Sequence, residues 1–228
     1  MLRGIARQGF FDGPASLKDI VRLRLAGHAH EGAAVAPQFD RLAGRKDDKD
    51  TAHTPEDMVQ AATGVVEIGR QAAAEEGVVA IIVSAFSDPG LAQLRDALPD
   101  TAVVGIGEQA FHEAARDGRS FAIVTITPDP ALIQSFPAKA DELGYGKQFK
   151  GVRVTPGDPK ELVEKPDQLD VALIEAVKQA VREDGAEAVI MGGSPLSAPA
   201  MRIQSRLDVP LVVAVMAATS AALKELSE

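Results

Sequence analysis

Short apolar runs alternate with longer amphipathic segments along the chain from residue 54 onward. The apolar runs, for example residues 78–85 and 188–191, do not alternate with polar positions, which is typical of strands covered on both faces. The amphipathic segments predict helices, and glycines such as Gly77 and Gly185 mark their ends. This order predicts an α/β fold in which helices flank parallel sheets.

The same pattern gives approximate bounds for each element. Helices are predicted over residues 54–76, 91–98, 108–117, 130–143, 169–184, 199–207 and 217–226, and strands over residues 78–85, 101–105, 120–125, 150–154, 188–191 and 210–215. Pro137 predicts a kink in its helix, and residues 155–159 predict a turn. Before residue 54, residues 20–26 suggest a strand and the charge run at residues 45–50 predicts a solvated loop.

One unit of this pattern occurs twice. A helix, a glycine and the run VVAIIVSAFSDPG are matched later by a helix, a glycine and AEAVIMGGSPLSAP. The repeat predicts two similar lobes related by a pseudo-twofold axis, with the ends of two strands facing one cleft. The predicted division is an atypical segment at residues 1–53 that joins the first lobe, a first lobe at 54–118, a second lobe at 119–216 and a closing helix at 217–228.

Composition and charge exclude several classes of partner. Hydrophobic residues make up 46% and aromatic residues only 4%, so the core is expected to be aliphatic. The formal net charge of -9 disfavours nucleic acid and acidic membrane surfaces as partners. No apolar stretch is long enough to span a membrane, and the opening MLRGIARQGFFDG lacks the apolar segment of a secretory signal. We therefore expect a cytoplasmic protein.

Common catalytic and metal-binding templates are missing from the sequence. The chain has no cysteine, and its four histidines, at positions 28, 30, 53 and 112, do not have the spacing of a metal site. No nucleophile elbow, phosphate-binding lysine loop or dinucleotide-binding glycine motif occurs. Neither a metal nor a cofactor is expected.

The ends of three predicted strands carry hydroxyl or carboxyl side chains next to glycines or helix starts, where backbone N–H groups are free. These side chains belong to Ser84, Ser87, Asp88, Thr125, Thr127, Ser194 and Ser197. Their position predicts a cradle for a carboxylate or phosphate. The alternative is that Ser and Asp only cap turns and helices and that the threonines only pack in their strand. Glu108 follows a Gly-Ile-Gly turn, where the helix dipole favours an acid whatever the function.

Three segments together resemble the aspartate/glutamate/hydantoin racemase superfamily, and most closely its hydantoin and allantoin racemase branch. These are VVAIIVSAFSDPGL, AVVGIGEQAFHEAARDGRSFAIVTI and GAEAVIMGGSPLSAP, which occur in the order of that family. The resemblance covers about residues 54–226. It implies two pseudo-symmetric Rossmann-like lobes with the active-site cleft between them. Members of the superfamily often associate, so a homo-oligomer is expected.

The resemblance also implies the positions of two catalytic cysteines, one from each lobe. In the racemases one thiolate removes the α-proton of the substrate and the other thiol returns a proton to the opposite face. These positions correspond to Ala85 and Gly193, whose side chains cannot accept a proton. Arylmalonate decarboxylases of the same superfamily keep one cysteine, so the loss of both fits neither mechanism. An unassisted serine hydroxyl has too high a pKa to replace either thiol.

A substrate cradle is implied as well, formed in the family by backbone N–H groups and threonines that hold a carboxylate or an imide. Its positions correspond here to Phe86, Ser87, Thr125, Thr127, Ser194 and Pro195. Pro195 has no N–H group, and the Asn-Pro-Asn motif near the family's N-terminus does not occur in residues 1–54. Several ligand-contacting positions have therefore changed together.

These observations lead to two main hypotheses for a protein that binds a small carboxylate or cyclic amide between its lobes. In the first, it is an isomerase, lyase or decarboxylase that does not use two-thiol racemisation, with Asp88, Glu108, His112 or a histidine at residues 28–30 as candidate acid or base. In the second, it is a non-catalytic homologue that binds a metabolite or serves as an accessory subunit. A two-lobed binding protein of the periplasmic type is disfavoured by the missing signal segment.

Overall fold

A computed structural model describes residues 20–25, 37–42 and 55–227 of the 228-residue chain. Within these ranges the α-helices are α1 (Pro55–Ala73), α2 (Leu91–Ala97), α3 (Ile106–Ala115), α4 (Pro130–Glu142), α5 (Pro159–Glu164), α6 (Pro166–Asp184), α7 (Ser197–Ile203) and α8 (Ala214–Glu225). The strands are β1 (Ile20–Leu25), β2 (Pro37–Leu42), β3 (Val78–Val83), β4 (Ala102–Gly105), β5 (Phe121–Thr125), β6 (Phe149–Val154), β7 (Ala188–Met191) and β8 (Leu211–Val213). They form two four-stranded sheets.

The first sheet has the strand order β2-β1-β3-β4. β3 and β4 are parallel, with Ile81 opposite Val103, and α2 forms the crossover between them. β1 runs antiparallel to both β2 and β3. Parallel pairing in this sheet is thus limited to β3 and β4, and the sequence pattern did not predict the antiparallel neighbours.

The second sheet is parallel throughout, with the order β6-β5-β7-β8. Its central strands β5 and β7 are buried at every position, as expected for strands covered by helices on both faces. β6 lies at the edge and is at most partly buried along its length, with Lys150 exposed. β6 is nevertheless contacted by two helices, α4 and α6, whose buried residues belong to clusters on opposite faces of the sheet.

The structure confirms the predicted elements of residues 55–226, with shifts of a few residues at their ends. Among the described α-helices and strands, β2 and α5 were not predicted. The turn predicted at residues 155–159 leads directly into α5, because the Asp158 carboxylate accepts the N–H of Lys160 at 2.8 Å and Pro159 occupies the first helical position. α4 continues through Pro137, whose side chain is exposed.

One hydrophobic core is shared by the two sheets. Ile82 of β3 belongs to the same buried cluster as Ile123 of β5 and Ile190 of β7. Phe111 of α3 is fully buried in this cluster and packs edge-on against Phe121, with ring centroids 5.5 Å apart. A second buried cluster, which includes Val124 and Leu173, lies on the opposite face of the second sheet. The shared core ties the two sheets together.

We expect Phe111→Ala to lower the free energy of unfolding by about 3–5 kcal/mol, because it removes a fully buried ring from the shared core. Urea denaturation followed by circular dichroism measures this change. The exposed Val171 provides a control, and Val171→Ala should change stability by no more than about 0.5 kcal/mol. Both sheets should unfold in one transition, and two separate transitions in the wild-type protein would contradict a shared core.

Candidate ligand site at the strand ends

The first strand end is a tight turn that follows β3. The N–H of Asp88 donates to the carbonyl oxygen of Ala85 at 2.9 Å, and Asp88 has a φ of 50°. Such a positive φ is uncommon for a residue with a side chain. Ala85, at the position implied for a thiol, is only 5% exposed. This turn, residues 85–88, contains the first half of the predicted cradle.

The Asp88 carboxylate holds the turn in place. One oxygen, Oδ1, accepts the N–H of Gly107 at 2.9 Å, and Oδ2 accepts the N–H of Glu108 at 2.6 Å. Both donors lie at the start of α3, where the helix dipole favours a negative charge. Lys139 of α4 also donates to Oδ2, at 2.6 Å. Burial raises the pKa of Asp88 above its ordinary value, although Lys139 and the two N–H groups act in the opposite direction.

Two glycines allow this close approach. A Cβ atom on Gly107 would lie far inside contact distance of the Phe86 carbonyl oxygen and 2.8 Å from Asp88 Oδ2. A Cβ atom on Gly105 would lie 2.5 Å from Asp88 Oδ1. The Gly-Ile-Gly-Glu segment therefore serves to seat the turn at residues 85–88 against the start of α3.

Glu108 is engaged in an ion pair with Arg95 of α2. Its two oxygens accept from the guanidinium group at 3.2 and 2.6 Å, and Arg95 also donates to the carbonyl oxygen of Val103 at 2.9 Å. Burial acts to raise the pKa of Glu108, but the hydrogen bonds and charge of Arg95 outweigh it and hold this pKa below its ordinary value. This geometry favours a structural role for Glu108 over proton transfer.

His112 follows Glu108 by one turn of α3 and is partly exposed. Its Nδ1 lies 2.8 Å from the hydroxyl oxygen of Tyr145, and its Nε2 lies 4.0 Å from a Glu108 oxygen. A groove of about 810 Å³ between α3, α7, β8 and α8 is lined in part by His112, Met201 and Met216. No predicted cradle residue lines this groove, so the structure brings His112 together with Glu108 but not with the strand ends.

The second sheet contributes Thr125 and Thr127, at the end of β5. Thr125 is 1% exposed, and its hydroxyl oxygen accepts the N–H of Thr127 at 3.1 Å. Because side chains alternate along a strand, Thr125 points to the same face as Ile123, which belongs to the core shared with the first sheet. Gly192, after β7, donates its N–H to the carbonyl oxygen of Val124 at 2.8 Å. The ends of β5 and β7 are therefore adjacent.

The other implied thiol position has a backbone that favours glycine. Gly193 has a φ of 113°, although a Cβ atom there would meet only Pro195 Cδ, at 3.6 Å. The obstacle to a side chain is thus backbone strain and not lack of space. Ser194 and Pro195 follow in a short 3-10 turn, Ser194–Leu196, in which the N–H of Leu196 donates to the carbonyl oxygen of Gly193 at 3.0 Å.

Two buried hydroxyl groups have no hydrogen-bond partner among the described side chains, Ser87 Oγ and Thr155 Oγ1. Buried polar atoms without a partner are rare in proteins and call for a ligand or a water. Ser87 lies in the turn at residues 85–88. Thr155 follows β6, and by alternation it shares the face of Arg153, which pairs with Asp184 of α6. The two hydroxyls thus belong to different surroundings.

Sequence reasoning missed Lys139, which comes from α4 and lies 51 positions from Asp88. The only available signal was a lysine on the helix face that also carries Phe136 and Ala140, both buried.

Residues 28, 30 and 53, which include two candidate histidines, lie outside the described residues. Among the residues that the structure describes, no group of three or more His, Asp or Glu side chains is arranged to hold a metal ion. No helix in those ranges is both long and apolar enough to cross a bilayer.

Helices flank sheets that contain parallel strands, and polar side chains lie at the carboxyl ends of those strands. This arrangement is typical of an α/β protein of the doubly wound type. The family model described as Asp/Glu/Hydantoin racemase matches residues 34–222. The chain therefore belongs to the Asp/Glu/hydantoin racemase family, and the resemblance drawn from its three sequence segments is confirmed.

Individual relatives are similar over different lengths. A hydantoin racemase from Pseudomonas sp. (strain NS671) is 31% identical over 143 residues, which cover 63% of this chain and 56% of that protein. A hydantoin racemase from Rhizobium meliloti is 29% identical over 201 residues, which cover 87% of this chain and 78% of that protein. The structure of allantoin racemase from Klebsiella pneumoniae has a TM-score of 0.68 at 24% identity and covers 80% of this chain and 73% of that one. The last match shows a common fold.

Gly107→Ala should lower the free energy of unfolding by about 2 kcal/mol, although alanine favours helices over glycine by about 1 kcal/mol. The added methyl group would overlap the Phe86 carbonyl oxygen, a backbone atom that cannot rotate away. Urea denaturation measures the change, with Gln109→Ala on the same helix as a control that should stay within about 0.5 kcal/mol. A gain in stability for Gly107→Ala would mean that the turn at residues 85–88 is not seated on α3.

Proposed function

We propose that this family member binds a small carboxylate or a cyclic amide at the carboxyl ends of β3, β5 and β7. The relatives named hydantoin racemase and allantoin racemase are named for cyclic amides, which supports that class of ligand. The proposed contacts are the backbone N–H groups of Phe86, Ser87 and Ser194 and the hydroxyl groups of Ser87, Thr125 and Thr127, whereas Pro195, the remaining cradle position, has no N–H group.

The unpartnered hydroxyl of Ser87 is the observation that carries this proposal. Leaving such a buried group without a partner costs about 1–3 kcal/mol. A ligand carbonyl or carboxylate oxygen in the cradle would accept its hydrogen bond. The rest of the turn at residues 85–88 is held rigidly by Asp88, so its backbone needs little rearrangement to receive such a group.

For the reaction, we propose an isomerase-, lyase- or decarboxylase-type conversion that does not pass a proton between two thiols. The acid or base that it requires must come from other groups, and Asp88, Glu108 and His112 are the described candidates. The geometry singles out none of them, because Asp88 and Glu108 are each held by strong hydrogen bonds to fixed partners and His112 lines a groove that contains no predicted cradle residue. His112 is partly exposed and its ring pairs with Tyr145 through one nitrogen.

The alternative is a non-catalytic homologue that binds a metabolite or acts as an accessory subunit. It is favoured by the engagement of Asp88 and Glu108 in structural pairs. It is also favoured by Gly193, whose φ of 113° leaves the second thiol position adapted to glycine. Both the enzyme and the non-catalytic homologue would bind a ligand, and only the enzyme would convert it to a product.

Ser87→Ala should weaken the binding of hydantoin or malonate about tenfold, because one hydrogen bond to the ligand is lost. The free energy of unfolding should stay the same or rise, since the variant removes a buried hydroxyl without a partner. Isothermal titration calorimetry and urea denaturation measure the two quantities. If the wild-type protein binds neither compound nor any of a panel of related acids and hydantoins, the proposed function is wrong.

Thr155→Val is the matched control, because it removes the other unpartnered buried hydroxyl, which follows β6 and is not a predicted cradle residue. Its binding of hydantoin should equal that of the wild-type protein. Equal losses of binding in Ser87→Ala and Thr155→Val would show a general effect of hydroxyl removal and would contradict the role of Ser87.

Ala85→Cys should restore exchange of the α-hydrogen of 5-methylhydantoin with solvent deuterium for one enantiomer. A thiol, with a pKa near 8.5, forms some thiolate at neutral pH and can remove the proton. Ala85→Ser is the control and should show no exchange above that of buffer, because its hydroxyl group is not activated. The exchange is followed by proton magnetic resonance. Binding of 5-methylhydantoin without exchange in Ala85→Cys would favour the non-catalytic alternative.

A further inference from the structure

Helix α4 connects the strand ends of the two sheets. It begins shortly after Thr127, and the Asp129 carboxylate caps its first turn by accepting the N–H of Leu132 at 2.8 Å. Further along, Phe136 packs edge-on against Phe86 of the first strand end, with ring centroids 5.6 Å apart. A single helix thus starts at one half of the proposed cradle and contacts the other half.

Lys139 follows Phe136 by about one turn and shares its face of α4. Its Nζ lies 2.6 Å from Asp88 Oδ2, and the side chains of Lys139 and Asp88 are only 17% and 2% exposed. The same carboxylate accepts two N–H groups from α3. Asp88 therefore joins three elements, the turn at residues 85–88, α3 and α4.

We propose that Lys139 is a positioning residue that fixes the turn at residues 85–88 relative to the strand ends of the second sheet. The contact between Phe86 and Phe136 is apolar and tolerates small displacements, whereas a charge-assisted hydrogen bond to Oδ2 specifies one position. Lys139 also supplies the positive charge that a buried carboxylate needs to remain an acceptor. This inference rests on the proposed function, because the distance between the strand ends matters for binding only if a ligand binds there.

Binding of hydantoin to two variants at this position tests the inference. Lys139→Met removes the charge and should weaken binding at least tenfold, whereas Lys139→Arg keeps a donor for Asp88 and should stay within about threefold of the wild-type protein. Lys178 of α6 is exposed, and Lys178→Met is the control for loss of one lysine. Unchanged binding in Lys139→Met would overturn the proposal, as would equal losses in Lys139→Met and Lys139→Arg.

Hydrogen–deuterium exchange separates this inference from the proposed function, because it needs no ligand. Lys139→Met should speed exchange in the peptides that cover residues 84–91 and 105–109, with the rest of the second sheet unchanged. If the wild-type protein binds neither hydantoin nor malonate, the proposed function fails while faster exchange in these two segments still supports fixation of the turn by Lys139. If both segments of the Lys139→Met variant exchange at the same rate as in the wild-type protein, the proposed role of Lys139 is wrong.

A double variant covers the case in which Lys139→Met does not fold. Asp88→Asn combined with Lys139→Met removes both charges and leaves an amide oxygen to accept one of the two N–H groups of α3, so no unpaired carboxylate remains buried and folding should recover. The turn would still lack its link to α4, and the binding of hydantoin should remain weakened at least tenfold. Binding equal to that of the wild-type protein in this folded variant would overturn the proposal.

Discussion

The Asp88 carboxylate is buried where the turn after β3, the start of α3 and helix α4 meet, and the strand ends depend on how its charge is compensated. A buried carboxylate is costly unless it is paired and hydrogen-bonded. Here two N–H groups and one ammonium group surround it. A side chain on Gly105 or Gly107 would overlap Asp88 or Phe86, and Asp88 itself has a φ of 50°. The shape of the first strand end follows from that single group.

Much of the fold could be predicted from the sequence because its signals are local. Apolar runs without alternation identify β3, β5 and β7, and Gly185, in the left-handed region, caps the end of the helix before β7. The antiparallel pairing of β1 could not be read in this way, because the partner of a strand is decided by contacts between distant segments. α5 was missed because an Asp-Pro pair serves equally well in a turn and at a helix start.

The candidate site was predictable only in part. Ser87, Asp88 and Thr125 could be singled out because strand ends and turn residues are visible in the sequence. What each side chain does was not visible, since an acid in a turn reads the same whether it is free or buried. Asp88 is held by donors 19 to 51 positions away, and this pairing depends on the packing of α3 and α4 against the turn. The sequence therefore predicted which polar residues lie at the strand ends, but not the hydrogen-bond partners of each.

The two positions that the resemblance implies for the family's thiols are not equivalent in this chain. Ala85 already has a Cβ atom, so the difference from cysteine there is one sulfur atom at the end of a buried strand. At Gly193 the backbone itself has a φ of 113°, which a residue with a side chain seldom adopts. A cysteine at position 193 would be strained in the present backbone, whereas Ala85 is not among the residues with a positive φ. The backbone of this chain would therefore accommodate a cysteine more readily at position 85 than at position 193.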